Sequence, residues 1–365
     1  MTKYNAENER IKREYLTYLK AAKGMSEASL DAVAKALHRF ESSTKFRDFR
    51  KFHVEQAVAF RRQLSEATSA ATGKSLSQAT LLQTLNALRA FVLWLAGQPG
   101  YRSRISYSDA EYFRLSEKDT RVAKAIRERP VPTLEQVHHV LAAMPDTTEI
   151  ERRNRALIAF TLLTGIRDGA LASLKLKHVD LAEGKVTQDA REVKTKFSKS
   201  FTTWFLPVGD GVRVIVDDWV AYLRDQKLWG GDDPLFPATE VVNNGESFQF
   251  ESAGLSRRHW ANATPIRAIF RSAFALAGLP YFNPHSFRKT LAQLGQRLCR
   301  TPEEVKAWSQ NFGHDDVMTT FRSYGEVPSS RQAQIIKNLN RPGEHGLEAH
   351  EALKTLERIF RRSNL

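Results

Sequence analysis

The chain has 365 residues and a mass of 41.4 kDa, enough to bury two ordinary cores, and its 42% hydrophobic and 26% charged residues suit a soluble globular protein. No apolar run is long enough to span a bilayer, the polar start MTKYNAENERIKREY lacks the core of a signal peptide, and the single cysteine, Cys299, excludes an intrachain disulfide framework and a multi-cysteine zinc site. A net charge of +14 selects a polyanionic partner, DNA or RNA before a membrane.

The first hundred residues read as helices. Leu30, Val33, Ala34, Leu37 and Phe40 recur with the spacing of one buried helix face. Leu81, Leu85, Leu88 and Leu95 repeat that spacing in a segment predicted to open near Ser77 and to stop with Gly97 as its C-terminal cap. Between them, TKFRDFRKFHVEQAVAFRRQL interleaves Lys and Arg with Phe, which fits a phosphate-contacting face and equally a helical hairpin with a solvated basic side. From about 98 to 131 the period is lost, charges accumulate and the stretch ends at Pro130 and Pro132, so it reads as a junction with a domain boundary near residue 120. Thr133 and Gln136 then form a predicted capping box, with Val137, Val140, Leu141 and Met144 on one helix face. Beyond it the chain reads as mostly helical with one small sheet. ALIAFTLLTG, 156 to 165, is an apolar helix ended by Gly165. Within 178 to 207, Glu183-Gly184 makes a turn and Thr202, Thr203, Trp204 and Phe205 favour strand. Helices resume after Val212 and again from Pro265 to Ala277. Pro342-Gly343 sets off a last amphipathic stretch, 347 to 361, on which Ala349, Ala352, Leu353, Leu356 and Phe360 form an apolar stripe.

Three motifs carry chemistry. In Asn283-Pro284-His285-Ser286-Phe287-Arg288, Asn caps a helix and Pro fits the first helical position, where a missing N–H leaves nothing unpaired. His285 falls in the first turn with Arg288 on the same face. Backbone N–H groups, an imidazole and a guanidinium are thus expected to converge on a phosphate. Alone, His-x-x-Arg is more often a capped surface helix with an incidental ion pair. The stretch Thr164 to Leu171, TGIRDGAL, sets Arg167 directly after a buried helix, where it must pair with Asp168, meet the helix C-terminus or turn into a cleft. The stretch Phe312 to Gly325, FGHDDVMTTFRSYG, puts Val317, Phe321 and Tyr324 on one helix face, ordinarily the mark of a core tyrosine.

In order, TGIRDGAL, a strand segment with REVKTKFSKS, PHSFRKT, FGH and a tyrosine ten residues after His314 resemble the tyrosine recombinase (phage-type integrase) family across nearly the whole chain. The resemblance implies a mainly α fold with a small antiparallel β-sheet. An N-terminal helical, SAM-like core-binding domain would cover 1–120 and an α+β catalytic domain 121–342, with a C-terminal helical tail, 343–365, that docks on a neighbouring subunit or packs onto its own domain. It implies Arg167 and Arg288 as phosphate-binding arginines, Tyr324 as nucleophile, His285 and His314 as active-site histidines and Lys194 as general acid. It further implies double-stranded DNA with inverted-repeat core sites, a homotetramer on synapsed DNA, accessory DNA-bending or directionality factors, a cytoplasmic, nucleoid-associated location, and neither cofactor nor metal. Two positions depart from the family pattern: Ala170 stands where an acidic residue is frequent, and Lys289 where a histidine is frequent. Asp168 is the expected substitute as electrostatic support for Arg167.

The residue set suits the reaction. A phosphodiester repels nucleophiles, and negative charge grows on its oxygens in the transition state; two guanidiniums and two imidazoles would supply positive charge and hydrogen bonds there. A free tyrosine titrates near ~10, so neighbouring cations must help Tyr324 attack. Attack would leave a 3′-phosphotyrosine link and a free 5′-hydroxyl, and the retained bond energy lets rejoining proceed without ATP. Lys194 and Lys196, two apart, would share a face of a regular strand, so alternation does not choose between them, and Lys199 falls in the turn. A type IB topoisomerase-like or telomere-resolving enzyme would use much the same constellation, and the basic charge alone would suit a non-catalytic DNA-binding protein.

Overall fold

The computed structural model describes residues 4–68, 73–125, 130–244 and 249–314. The chain divides into two compact units, Met1–Arg127 and Glu128–Leu365. Tyr324, the helix face it was read on and the 343–365 tail lie outside the described residues.

The first unit is helical: α1 (Ala6–Ala21), α2 (Glu27–Ser43), α3 (Val54–Glu66), α4 (Gln78–Leu95) and α5 (Glu117–Lys124). Its core takes Leu30, Val33, Leu37 and Phe40 from α2 as expected, with Ala36 buried in place of Ala34. Ser77 caps α4, its side chain accepting from the Thr80 N–H. The other end of α4 is not the left-handed glycine cap expected. The Gly97 N–H donates to Trp94 O at 3.1 Å and the Gln98 N–H to Leu95 O at 2.9 Å, a tightened last turn that satisfies the final carbonyls without positive φ. The Phe-rich basic segment divides its labour: Phe49, Phe52 and Phe60 are buried around Phe40, stacked, tilted and edge-on in turn, while Lys45, Arg47, Lys51 and Arg62 are exposed. Residues 101–113, expected to belong to a junction, contribute to the core of the first unit, whereas α5 buries no residue. Tyr101, Ile105, Ala110 and Phe113 are all buried, the last two on a 3₁₀ turn, Tyr107–Phe113, whose three-residue repeat a 3.6-residue search does not register.

In the second unit α6 (Leu134–Ala143) opens on the expected Thr133–Gln136 capping box. It packs with α9 and α11 on α7 (Glu149–Thr164), in which every residue from Ala156 to Thr164 is buried. The chain leaves α7 through Gly165 at φ 63° into the single turn α8 (Asp168–Leu171). A three-stranded antiparallel sheet follows, ordered β1 (Val179–Asp180), β2 (Lys185–Gln188), β3 (Phe201–Trp204), with Val186 opposite Thr203 and Gln188 opposite Phe201. After α9 (Asp210–Ala221) comes a second sheet, a pair β4 (Thr239–Asn244) and β5 (Gln249–Leu255), where one small sheet was expected. Its asparagines, Gly254 and a register shift between Glu240 and Val241 dilute the period-two signal. α10 (Thr264–Leu276), α11 (Pro284–Leu298) and α12 (Pro302–Asn311) complete the described unit, with Phe270, Phe274, Phe287 and Leu291 fully buried. Among the described residues no helix is long and apolar enough to cross a membrane.

Candidate active site

Arg288 is the structural centre of the site. Asn283 caps α11 by accepting from the Ser286 N–H, and Pro284 takes the first helical position, as the sequence predicts. One turn in, Arg288 is only 7% exposed. Its Nη1 donates to Gly165 O at 2.5 Å and its Nη2 to Phe312 O at 2.9 Å, with the guanidinium 4.7 Å from the Phe312 ring centroid. The two carbonyls end α7 and α12, so the negative ends of two helices and an aromatic face surround the buried cation. Burial, then Arg167, pushes its pKa down. An arginine so enclosed by acceptors still keeps its charge, because the two carbonyls and the helix ends they belong to favour the cation.

His314 completes that arrangement. α12 ends in a left-handed Gly313, φ 67°, with the Gly313 N–H donating to Gln310 O and the His314 N–H to Ser309 O. A Cβ on Gly313 would fall 2.6 Å from the Phe201 ring, so only glycine fits there. The turn brings His314 Nε2 to 3.1 Å from Arg288 Nη2. A guanidinium only donates, so Nε2 is the acceptor and the ring is neutral. Burial, followed by Arg288, Arg167, Lys196 and Lys199, lowers its pKa to about 4. His285, with an exposed edge, is also lowered, by surrounding protein first and then Arg288 and Arg167. Positive charge was expected from both imidazoles; here the fixed charge is that of the arginines, and the imidazoles offer hydrogen bonds.

Arg167 caps α8 with its backbone, its carbonyl accepting from the Ala170 and Leu171 N–H groups, while its side chain makes no hydrogen bond or ion pair to any described residue. It is half-buried and close enough to lower the pKa of Arg288, His285 and His314. The expected support from Asp168 is absent. The Asp168 Oδ2 accepts from Arg267 on α10 at 2.8 Å and Oδ1 from the Gly169 N–H, while Ala170 is buried. A partner 99 residues away leaves no local signal in the sequence.

Lys194 and Lys196 do not lie on a strand. Both belong to the irregular connection between β2 and β3, where Phe197 and Ser198 take positive φ. The Lys194 side chain is exposed and its backbone N–H donates to Ser173 Oγ, just beyond α8. The charges of Lys196 and Lys199 act on His314, that of Lys194 on His259. Arg167, Arg288, His285 and His314 thus gather at one place, with the lysine loop attached beside α8. Sequence reasoning missed the supporting parts: the Gly165 and Phe312 carbonyls, and Asn311, whose side chain bonds both the N–H and the C=O of Trp204.

Two consequences can be measured. A Cβ at Gly165 would sit 2.6 Å from the Phe312 ring and 3.2 Å from Leu291, in a left-handed conformation. Gly165→Ala is therefore expected to lose about 2–3 kcal/mol in denaturant unfolding, combining backbone strain with displacement of the ring against Arg288. Wild-type stability in that variant would contradict the packing described. The second concerns acid. His314 binds its proton near ~6.5 in the unfolded chain but near about 4 when folded, so the unfolded state protonates first. Its contribution is full above the unfolded value and is lost as pH falls through that window. His314→Gln should flatten the fall in melting temperature between pH 6.5 and 4; an undiminished fall would contradict the assignment of a neutral folded imidazole.

The phage integrase family matches residues 131–331. A relative, the tyrosine recombinase XerC of Lactobacillus delbrueckii subsp. bulgaricus, is 23% identical over 315 residues, covering 85% of this chain and 92% of its own length. A lambda integrase dimer bound to a COC′ core site superposes with a TM-score of 0.60 at 13% identity, over 88% of this chain and 96% of its own. A lambda integrase tetramer bound to a Holliday junction gives 0.54 at 14% identity, over 88% of this chain and 79% of its own. At these identities the two structures show likeness of fold.

Proposed function

The chain belongs to the phage integrase family and is a tyrosine recombinase, an enzyme of site-specific DNA recombination, and we propose that it cleaves and rejoins its DNA through Tyr324, using Arg167, Arg288, His285, His314 and Lys194. The observation that carries this reading is the gathering of two arginines and two neutral imidazoles around one point, with one guanidinium held by helix-end carbonyls and the other without a hydrogen-bond partner among the described residues.

In the proposed reaction Arg167 and Arg288 bind the non-bridging oxygens of the scissile phosphate, where charge grows during attack. The Tyr324 oxygen bonds to phosphorus as the bond to the 5′-oxygen breaks. The tyrosine proton passes to His285, whose ring bonds no described residue, whereas Nε2 of His314 is taken by Arg288. Burial and then Arg288 and Arg167 depress His285, and the incoming phosphate offsets the part due to the arginines, raising its basicity. Lys194 gives a proton to the departing 5′-oxygen. Rejoining is the reverse, with a 5′-hydroxyl attacking the phosphotyrosine.

The partners proposed are duplex DNA with inverted-repeat core sites, three further copies of the chain on synapsed DNA, with the 343–365 tail docked between subunits, and accessory bending or directionality factors. The first unit would serve as the core-binding domain, and the setting would be the cytoplasm at the nucleoid. The reading is tested by trapping covalent complexes on fragmented cellular DNA and then placing the recovered site twice on a plasmid. Recombinant products joining the two copies are expected. Relaxation of supercoils without any joint product would favour a topoisomerase-like activity instead.

A further inference from the structure

Lys194 is an exposed side chain on a four-carbon stem, and such a group reaches one atom reliably only if its backbone is fixed. Three successive residues supply that fixation. Val193 is buried in the core and its N–H donates to Asp189 O at 2.7 Å. The Lys194 N–H donates to Ser173 Oγ at 2.9 Å; the hydroxyl of Ser173, a residue 7% exposed, donates in turn to Ala170 O at 3.0 Å. Ala170 belongs to α8, the turn that begins at Arg167. One hydroxyl therefore connects the backbone of the lysine to the element that carries the arginine.

Glu192 supplies the other side. Its Oε1 lies 2.7 Å from Lys177 Nζ and 3.4 Å from Lys175 Nζ, and its Oε2 is 2.9 Å from His178 Nε2. The His178 ring is buried, and its Nδ1 accepts the Lys175 N–H at 3.0 Å, so Nε2 carries the proton and donates it to the carboxylate. Hydrogen bonds from Lys177 and then His178 hold the Glu192 carboxyl down at about 2. Lys196 lies beyond this tether, its ammonium 4.7 Å from the Phe197 ring centroid, on the part of the loop that turns through positive φ.

We propose that Ser173 and Glu192 are positioning residues for Lys194, clamping the lysine loop to α8 and to the stretch preceding β1 so that the ammonium meets the leaving 5′-oxygen. The proposal rests on the reading of Lys194 as general acid, and the experiment separates the two. Full-length Ser173→Ala, Glu192→Gln and Lys194→Ala are compared with wild type on nicked suicide duplexes carrying oxygen or sulfur at the bridging 5′ position. A thiolate, whose acid titrates near ~8.5, leaves without a donated proton. Each positioning variant is expected to cleave the oxygen duplex about 10- to 100-fold more slowly and the sulfur duplex at close to the wild-type rate, with DNA affinity unchanged. Equal defects on both duplexes, or none on either, would reduce Ser173 and Glu192 to structural roles. Sulfur rescue of Lys194→Ala alongside unrescued positioning variants would overturn this inference and leave the general acid standing; an unrescued Lys194→Ala would overturn the reading beneath it. Glu192→Gln keeps an acceptor for His178 and decides the matter if Ser173→Ala fails to fold.

Discussion

Arg167→Ala is expected to slow DNA cleavage by about 10³-fold, a loss of about 4 kcal/mol of transition-state stabilisation, while the chain stays as stable as wild type or gains slightly. The stability half of this expectation comes from the site itself. Arg167 is half-buried and bonds to no described residue, so its charge is desolvated without compensation. It also raises the electrostatic cost of Arg288. Removing it relieves both burdens in the free protein. The activity half follows because a guanidinium that bonds to no described residue is available to phosphate oxygens and to the charge that develops on them. Binding of whole sites should change little, since a chain with charge +14 has many other lysines and arginines to offer the DNA backbone. A variant that cleaved at the wild-type rate, or that unfolded markedly more easily, would mean that Arg167 is a structural residue. Arg288→Ala should behave differently. It should lose cleavage by a similar factor but also stability, because it leaves Gly165 O, Phe312 O and the His314 ring without their donor.

The contrast between these two arginines also marks what a sequence can carry. The position of Arg288 followed from local rules, an asparagine cap, a proline at the first helical position and a side chain one turn later, and the helix forms as read. Gly165 likewise ends α7 in the left-handed conformation expected of it. What holds Arg288 was not legible, because its acceptors are backbone carbonyls 123 and 24 residues away and any residue type supplies a carbonyl. The partner of Asp168 was misjudged for the same reason: adjacency in sequence suggested Arg167, but a backbone turn aims the carboxylate at Arg267 on α10. The lysine loop was read as strand because Thr202 to Phe205 extend a β-favouring run, whereas Phe197 and Ser198 at positive φ break it before β3. Positive-φ residues other than glycine carry no compositional warning. The core contribution of residues 101–113 was hidden by a 3₁₀ repeat and by flanking charges that dominate the composition.

Tyr324 carries the central claim, and one measurement addresses it directly. A duplex with a nick just beyond the scissile phosphate loses its short 5′-hydroxyl fragment after attack, so the covalent intermediate accumulates and survives denaturing electrophoresis. Wild-type protein should yield this adduct, and proteolysis followed by mass spectrometry should locate the nucleotide on Tyr324. Tyr324→Phe removes only the attacking oxygen, so it should bind the same duplex with wild-type affinity and form adduct at a rate at least about 10⁴-fold lower, the scale on which loss of a covalent nucleophile is felt. Adduct of normal yield in Tyr324→Phe, or wild-type adduct mapped to another residue, would contradict the account.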